Sequence, residues 1–264
     1  MPWDSILVGR SVADCAAGAL ARGSGNVEAM RPSDERVVHT WLLIGRTLNS
    51  IARMSSSVQR KRVRKSPEAR RAEIVEAAAR VALTEGLECV TLRRIAEELA
   101  VRPGLISHYF PSAEELVAEA FAVAALGELD SLLPADRPDG TPTQYLARYF
   151  ALSTGDAYDD ISRLWINARH LSRYRPVLRD RVTEMELASD DRLEALIHEG
   201  VERGEFRTED ARATAIQILV VLDGLGAHAN SDRTDRPAAV NRMAVTTAER
   251  ELGLAHGALS PQTP

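Results

Sequence analysis

Cysteine is scarce in this 264-residue sequence, and long apolar runs are missing. The two cysteines, Cys15 and Cys89, have no partner at metal-ligand spacing, which argues against a thiolate metal site and favours a reducing compartment with free thiols. Because no run of about 18 apolar residues occurs, the sequence predicts no membrane span. The first residues lack the basic segment of a secretory signal, so we expect a cytoplasmic protein.

Arrangements of residues that carry catalysis or bind metals are also missing. The histidines are scattered, and none is paired with another at the spacing of metal ligands. The acid pairs Asp159–Asp160 and Asp190–Asp191 are adjacent in sequence, and adjacent residues on a helix do not face each other. We therefore predict no metal, no cofactor and no enzymatic activity.

The charge distribution points to a localised contact with nucleic acid. The chain carries a net charge of −5, and most of the acidic excess lies in residues 122–264. Residues 60–71 are different, because they hold seven basic residues and only one acid, Glu68. A short basic segment in an acidic chain fits a local contact with DNA better than a broad basic face does.

Residues 1–60 have weak hydrophobic patterning and end in a basic arm. Two interpretations of residues 1–53 remain open. They form a disordered or partly helical extension, or translation starts at Met54 and the extension is not made. We favour the second interpretation, and peptides from residues 1–53 in mass spectra of the purified protein would exclude it.

The first regular structure is predicted from Pro67, which suits the first position of a helix. Apolar residues then recur at helical spacing until Gly86. A second helix begins at Thr91, a third begins at Pro103, and Ser112 caps a fourth with Glu115 three residues on. These helices define a domain over residues 68–128.

A loop is predicted at residues 127–142, which contain three prolines and two glycines. Helical patterns alone follow it, the clearest at 176–201, 208–228 and 237–252, and they define a second domain over residues 142–254. The predicted fold class is all-α, with an N-terminal three-helix DNA-binding domain and a C-terminal helical domain for ligand sensing and dimerisation.

The two short helices within Thr91–Phe110 are typical of a helix-turn-helix motif. Apolar residues such as Ile95 and Ile106 can share one interior, and the small Ala96 lets the two helices cross closely. The outer side of the second helix offers hydrogen-bond donors, a ring and bare backbone, and a helix fits the major groove of DNA. The outer residues are Arg102, Gly104, Leu105, Ser107, His108 and Tyr109.

Residues 67–121 resemble the TetR family of bacterial repressors, most clearly in Gly104, His108-Tyr109-Phe110, Ser112 and Glu114-Glu115-Leu116. The resemblance implies a homodimer that places each recognition helix in one half-site of a palindromic double-stranded operator. It also implies which residues contact DNA, and the basic arm adds Arg64 and Lys65. The expected DNA-binding residues are Thr91, Arg102, Pro103, Gly104, Leu105, Ser107, His108, Tyr109, Arg64 and Lys65.

Three positions depart from the family pattern. Ala100 stands where a turn glycine is common, Ser107 where an aromatic residue is common, and Ala113 where a lysine commonly contacts phosphate. The last two changes remove contacts, and we expect Arg102 and the basic arm to compensate.

The C-terminal half resembles the regulatory half of choline-repressor-like members of this family. Rings with polar groups are candidates for a ligand pocket, namely Tyr145, Tyr149, Trp165 and His170. We expect helices 208–228 and 237–252 to form a four-helix dimer interface through Leu219, Leu222 and Gly226, although 208–228 also fits a central core helix.

The function predicted from the sequence is that of a repressor released from its operator by an unidentified small molecule. The alternative is a DNA-bound adaptor that recruits a protein partner without a small ligand.

Neutralising the basic arm should weaken DNA binding and flatten its dependence on salt. With fewer phosphate contacts, fewer counterions leave the DNA when the protein binds. The variant replaces Arg60, Lys61, Arg62, Arg64 and Lys65 by glutamine, and operator affinity is measured over a series of salt concentrations. An unchanged salt slope would show that the arm does not touch the DNA backbone.

Overall fold

The chain divides into two units, Met1–Pro67 and Glu68–Pro264. This computed structural model describes residues 65–137, 140–153, 156–230 and 237–260. The predictions for residues 1–60 and for Arg64 lie outside these ranges. Within them the chain forms ten α-helices and no strand, which confirms the all-α fold class. None of the helices described is both long enough and apolar enough to cross a membrane.

Three helices form the N-terminal part. They are α1 (Pro67–Glu85), α2 (Leu92–Glu98) and α3 (Pro103–Tyr109), with a 3-10 turn at Leu87–Cys89 between α1 and α2. Thr91 caps α2, because its side chain accepts a hydrogen bond from the Arg94 amide at 3.0 Å. Side chains from all three helices meet in one core, including Ile74, Ile95, Ile106 and Phe110, all fully buried.

The turn between α2 and α3 has a strained backbone at Ala100. This residue has φ 52°, a left-handed conformation that glycine adopts without strain. The Val101 amide then donates to the Ala96 carbonyl at 2.9 Å, which closes the C-terminus of α2. The alanine noted at a glycine position in the sequence therefore carries a real conformational cost.

Helix α4 extends farther than predicted. It spans Ala113–Leu132, so the loop predicted from residue 127 begins six residues later, and the domain boundary at 128 falls inside a helix. Gly127 does not end the helix because Leu129, Leu132 and Leu133 beyond it are all buried in the C-terminal core. Burial of these three side chains outweighs the weak helix propensity of one glycine.

Six helices follow, in which α7 packs against α4, α5, α6 and α8. The predicted last helix is interrupted at Arg242, which separates α9 from α10. Phe206, just after α7, folds back onto Gly200, where any side chain would overlap its ring. The helices are α5 (Pro142–Leu152), α6 (Asp156–Ser172), α7 (Pro176–Glu202), α8 (Ala211–Ala229), α9 (Ala238–Asn241) and α10 (Met243–Glu251).

The core of α1–α3 continues without a break into the C-terminal helices. One buried cluster contains Ile74 and Phe110 together with Phe121 of α4, Leu164 of α6 and Leu178 of α7. A second cluster joins the end of α4 to the helices α5, α7, α8 and α10. Helices α4 and α7 therefore contribute buried side chains to both clusters.

The substitution Ala100→Gly should stabilise the protein by about 0.5–1 kcal/mol. It removes a left-handed alanine that costs about 1–2 kcal/mol, and part of that gain is offset by the greater freedom of glycine in the unfolded chain. Ala72→Gly in the exposed middle of α1 is the control and should destabilise by about 1 kcal/mol. Urea unfolding measures both, and equal destabilisation by the two variants would contradict the assigned strain.

Candidate DNA-binding surface and ligand cavity

The candidate recognition residues lie together on one side of α3. Ile106 faces the core, so the rest of this short helix turns toward solvent. Leu105 and Tyr109 are half-buried at the edges of that exposed surface. The fully exposed members are Arg102, Pro103, Gly104, Ser107 and His108. We call the set 102–105 and 107–109 the recognition surface.

Three of these side chains already make contacts within α3. The Ser107 hydroxyl donates to the Pro103 carbonyl at 3.3 Å. The His108 and Tyr109 rings meet edge to face with centroids 5.2 Å apart, and Tyr109 also packs against the core. Tyr109 therefore has its ring fixed, as a side chain that positions its hydroxyl at a surface should.

Most cations of residues 68–128 are neutralised by neighbouring acids. Arg94 pairs with Glu85 at 2.5 Å and with Glu98 at 2.9 Å, and its hydrogen bond to Glu85 is the largest cause of a raised pKa. Arg71 pairs with Glu119 and lies 4.7 Å from the centre of the Phe110 ring. These pairs hold α1, α2 and α4 together.

Arg102 is an exception on the recognition surface, because it forms no ion pair with any residue of the described part of the chain. Ala113, which stands where a lysine is common in the family, is exposed at the start of α4. Lys65 is exposed just before α1. Arg102 is therefore an exposed positive charge at the N-terminal end of the recognition surface.

A cavity of about 300 Å³ opens among α4, α5, α6, α7 and α8. One part of its wall is apolar, with Leu129, Leu132, Leu133, Ile216, Leu219 and Val220. The other part combines rings with charges, from Tyr149, Tyr158, Trp165, Glu128, Arg169, Glu186, Asp190 and Asp223. Its size falls at the small end of the range of ligand sites.

Two of the four residues predicted for a ligand pocket line this cavity, Tyr149 and Trp165. The other two lie elsewhere. Tyr145 packs against the second core cluster with the Arg137 guanidinium 5.9 Å from its ring, and His170 is exposed beside Tyr174. Both were predicted from the chemistry of their rings alone, and neither side chain points toward the cavity.

The charged wall of the cavity was not predicted from the sequence. Trp165 Nε1 donates to Glu128 Oε2 at 2.8 Å. The guanidinium of Arg169 lies 5.0 Å from the centre of the Trp165 ring and binds Glu186 at 2.8 Å and Asp223 at 2.7 Å. The four-residue spacing of Trp165 and Arg169 was a usable signal, whereas Glu128 lay in the segment predicted as a loop.

Burial raises the pKa of several ionisable groups in this wall. Desolvation raises the pKa of Glu128 to about 7, and the hydrogen bond from Trp165 only partly opposes that effect. Desolvation also raises the pKa of Asp223, although Arg169 acts in the opposite direction. The pKa of the Tyr158 hydroxyl is likewise raised by burial, so this ring stays neutral.

The residues predicted for the dimer interface lie on the inner side of α8 within the protomer. Leu222 is 5% exposed and belongs to the core, and a side chain at Gly226 would meet Ser162 Cβ at 3.1 Å. Leu219 lines the cavity. Leu222 and Gly226 therefore face the interior of the protomer, whereas Leu219 borders the cavity together with Val220 of a second, parallel stripe.

The second stripe of α8 is exposed and consists of small or apolar residues and one glutamine. Its members are spaced alternately by four and three residues, as in helices that pack lengthwise on one another. They are Ala213, Gln217, Val220, Gly224 and Ala227. Val220 is 61% exposed, and space around Gly224 is open.

Helix α6 also contacts the DNA-binding end of the molecule. Asn167 Oδ1 accepts a hydrogen bond from the Leu87 amide at 3.0 Å, and Asn167 Nδ2 donates to Glu88 at 2.7 Å. Leu87 and Glu88 form the turn between α1 and α2. The helix that supplies Trp165 and Arg169 to the cavity therefore also holds the turn that leads into the helix-turn-helix.

Two family models match this chain, and together they span more than half of it. Residues 74–120 match "Bacterial regulatory proteins, tetR family", and residues 143–253 match "BetI-type transcriptional repressor, C-terminal". No curated protein sequence matches the chain significantly.

Solved structures share the fold at low identity. A protein from Saccharomonospora viridis, described as a transcriptional regulator and crystallised with choline, is 22% identical with a TM-score of 0.59 over 70% of this chain and 98% of its own. A TetR-family regulator from Rhodococcus sp. is 19% identical with a TM-score of 0.59 over 69% and 98%. A regulator from Pseudomonas aeruginosa PAO1 is 21% identical with a TM-score of 0.58 over 76% and 97%.

The family models match the helix-turn-helix and the regulatory helices separately, and in the order in which the fold joins them. The protein is a transcriptional regulator and belongs to the TetR family of bacterial regulatory proteins.

Proposed function

We propose that this protein is a repressor that binds a palindromic operator as a homodimer and leaves it when a small organic cation fills the cavity. One observation carries the proposal. Helix α6 lines the cavity with Trp165 and Arg169 and, through Asn167, holds the turn that precedes α2. A ligand that moves α6 therefore acts directly on the position of the helix-turn-helix.

DNA binding is assigned to the recognition surface together with Thr91 and the arm residues Arg64 and Lys65. Thr91 has its hydroxyl oxygen occupied as the cap of α2, which leaves its hydroxyl hydrogen to donate to a phosphate. The exposed backbone at Gly104 lets α3 approach the floor of the groove closely, because space around its Cα is open. Arg102 supplies charge that Ser107 and Ala113 cannot.

The chemistry of the cavity favours a cation as effector. Four carboxylates face it, from Glu128, Glu186, Asp190 and Asp223, against the single guanidinium of Arg169. Three aromatic rings line the same wall, and ring faces attract cations, quaternary ammonium groups above all. The S. viridis regulator, which shares this fold, was crystallised with choline, a compound of that class.

The exposed stripe of α8 is assigned to the dimer interface. A two-fold axis would set this stripe against its own copy, with α10 beside it, and the small residues Gly224 and Ala227 would allow close approach. This arrangement replaces the predicted contacts at Leu222 and Gly226 and keeps α8 as the interface helix.

An adaptor that recruits a protein without a small ligand is the weaker alternative. A protein with that function needs no ligand cavity, whereas the C-terminal helices form an open cavity of about 300 Å³ with a charged and aromatic wall.

The function is tested on a duplex that the protein itself selects from a random DNA library. The selected sequence should be a palindrome, and choline, tetramethylammonium or benzyltrimethylammonium should weaken binding at least about fivefold in fluorescence anisotropy. A selected site without symmetry would contradict the dimer. Operator affinity unchanged by all three saturating cations would contradict cation-controlled release.

Arg102→Ala should weaken operator binding and reduce the magnitude of the salt slope by about two for a dimer, since one phosphate contact is lost in each half-site. Arg207→Ala removes an exposed arginine between α7 and α8 and is the control, with no change expected. Equal effects of both substitutions would show that only net charge matters.

Gly224→Arg should convert the dimer to a monomer without unfolding it, because the substitution places a charge in the exposed stripe and meets no atom within the protomer. Gly127→Arg is the matched control, because Gly127 is also an exposed helical glycine with open space around it. Sedimentation velocity measures the mass of each variant. A Gly224→Arg protein that stays dimeric at micromolar concentration would place the interface elsewhere.

A further inference from the structure

Glu128 differs from the other carboxylates of the cavity in its partners. Glu186 and Asp223 are both bound by Arg169, and Asp190 lies 3.9 Å from Arg212. Glu128 accepts a hydrogen bond from the neutral indole of Trp165 and forms no ion pair within the described ranges. Among the carboxylates of the cavity wall, Glu128 is the one for which the described part of the chain supplies no ion-pair partner.

We propose that Glu128 selects a positively charged effector, and that it releases a proton to solvent when that effector binds. The inference rests on the proposed function, because it assigns a role within the same cavity. It makes release of the repressor depend on pH as well as on the effector.

The position of Glu128 allows it to act as this selector. Its carboxylate is fixed by Trp165 Nε1 at 2.8 Å, so it borders the ring against which a cation would pack. Arg169 already lies on Trp165 and is held by two carboxylates of its own, so it is not free to neutralise Glu128. A cation bound in the cavity would therefore pair with Glu128, because the other carboxylates of the wall already have arginine partners.

The surroundings of Glu128 keep about half of it protonated at pH 7 in the empty protein. From α8 it faces Asp223, from α7 Glu186 and Asp190, and the neutral hydroxyls of Tyr149 and Tyr158 come from α5 and α6. The hydrogen bond from Trp165 and the charge of Arg169 oppose these acids. Desolvation raises the pKa of Glu128 to about 7, with Asp223 adding to the effect.

Binding exchanges the proton of Glu128 for the cation. The O–H bond of the Glu128 carboxylic acid breaks, its proton passes to buffer, and the carboxylate left behind pairs with the entering cation. A positive charge at Glu128 favours the ionised form and lowers its pKa, so binding and proton loss reinforce each other. The charge of the cavity is the same before and after the exchange.

The expected consequence is a pH-dependent affinity for cations. If the free carboxyl titrates at about 7 and the bound one stays ionised, choline affinity should rise about tenfold between pH 6 and pH 8. At pH 7 about half a proton should leave for each choline bound. Calorimetry in buffers of different ionisation enthalpy measures that number directly.

Glu128→Gln should keep the hydrogen bond from Trp165, bind choline at least about tenfold more weakly at pH 8, and release no proton. The control is Glu184→Gln, which removes an exposed acid of α7 outside the cavity and should leave affinity and proton release unchanged. The neutral isostere 3,3-dimethylbutan-1-ol should bind the wild type more weakly than choline and without dependence on pH.

Three results would overturn the inference. They are proton release that persists in Glu128→Gln, choline affinity in the wild type that does not change with pH, and failure of choline, tetramethylammonium and benzyltrimethylammonium to bind at all. Operator binding is also measured without ligand in the same buffers. Failure to bind the operator would contradict the proposed function itself and not the role of Glu128. A protein that binds its operator and cations but releases no proton refutes the role of Glu128 alone.

Discussion

The packing of Trp165 between α4 and α6 is the contact on which the arrangement of the whole protein depends. Its ring meets Phe121 of α4 edge to face at 5.0 Å, inside the core that is continuous with α1–α3. Its indole N–H binds Glu128, and its face carries Arg169. One side chain therefore belongs at once to the core of the DNA-binding helices and to the wall of the cavity.

The contacts of α6 with the DNA-binding helices are strong enough to account for regulation. Coupling between ligand sites typically amounts to about 1–3 kcal/mol, which changes affinity about 5- to 150-fold. The two hydrogen bonds of Asn167 to Leu87 and Glu88 are worth about 1 kcal/mol each, and one of them involves a carboxylate. Loss or rearrangement of this contact alone would be enough for a ligand-dependent change in DNA binding.

The DNA-binding half was predictable from the sequence because its signals are local and dense. Thr91, Pro103 and Ser112 each mark the start of a helix, and they follow one another at intervals of 12 and 9 residues, so the two helices between them must be short. Ala100 is the one local inconsistency, and the structure shows it as strain in the turn. Long-range packing decided the features that the sequence did not reveal. Burial of Leu129 and Leu132 carried α4 past Gly127 and so brought Glu128 to the cavity.

The residues proposed for the dimer face show the same dependence on long-range packing. Helix α8 has two stripes of similar period, and periodicity cannot say which of them meets the core. The choice depends on shape, since Gly226 closes against Ser162 while Gly224 has open space around it. The cavity was only half predictable, because ring chemistry identified Trp165 and Tyr149 but could not place Tyr145 and His170 outside it.

The central claim is that the cavity and the recognition surface are coupled through α6. The most direct test is a calorimetric titration of choline at pH 8 into the protein alone and into the protein saturated with its selected operator duplex. Linkage requires that DNA weaken choline binding by the same factor by which choline weakens DNA binding, so the account predicts at least about a fivefold lower affinity in the complex. Equal choline affinity with and without operator would contradict it.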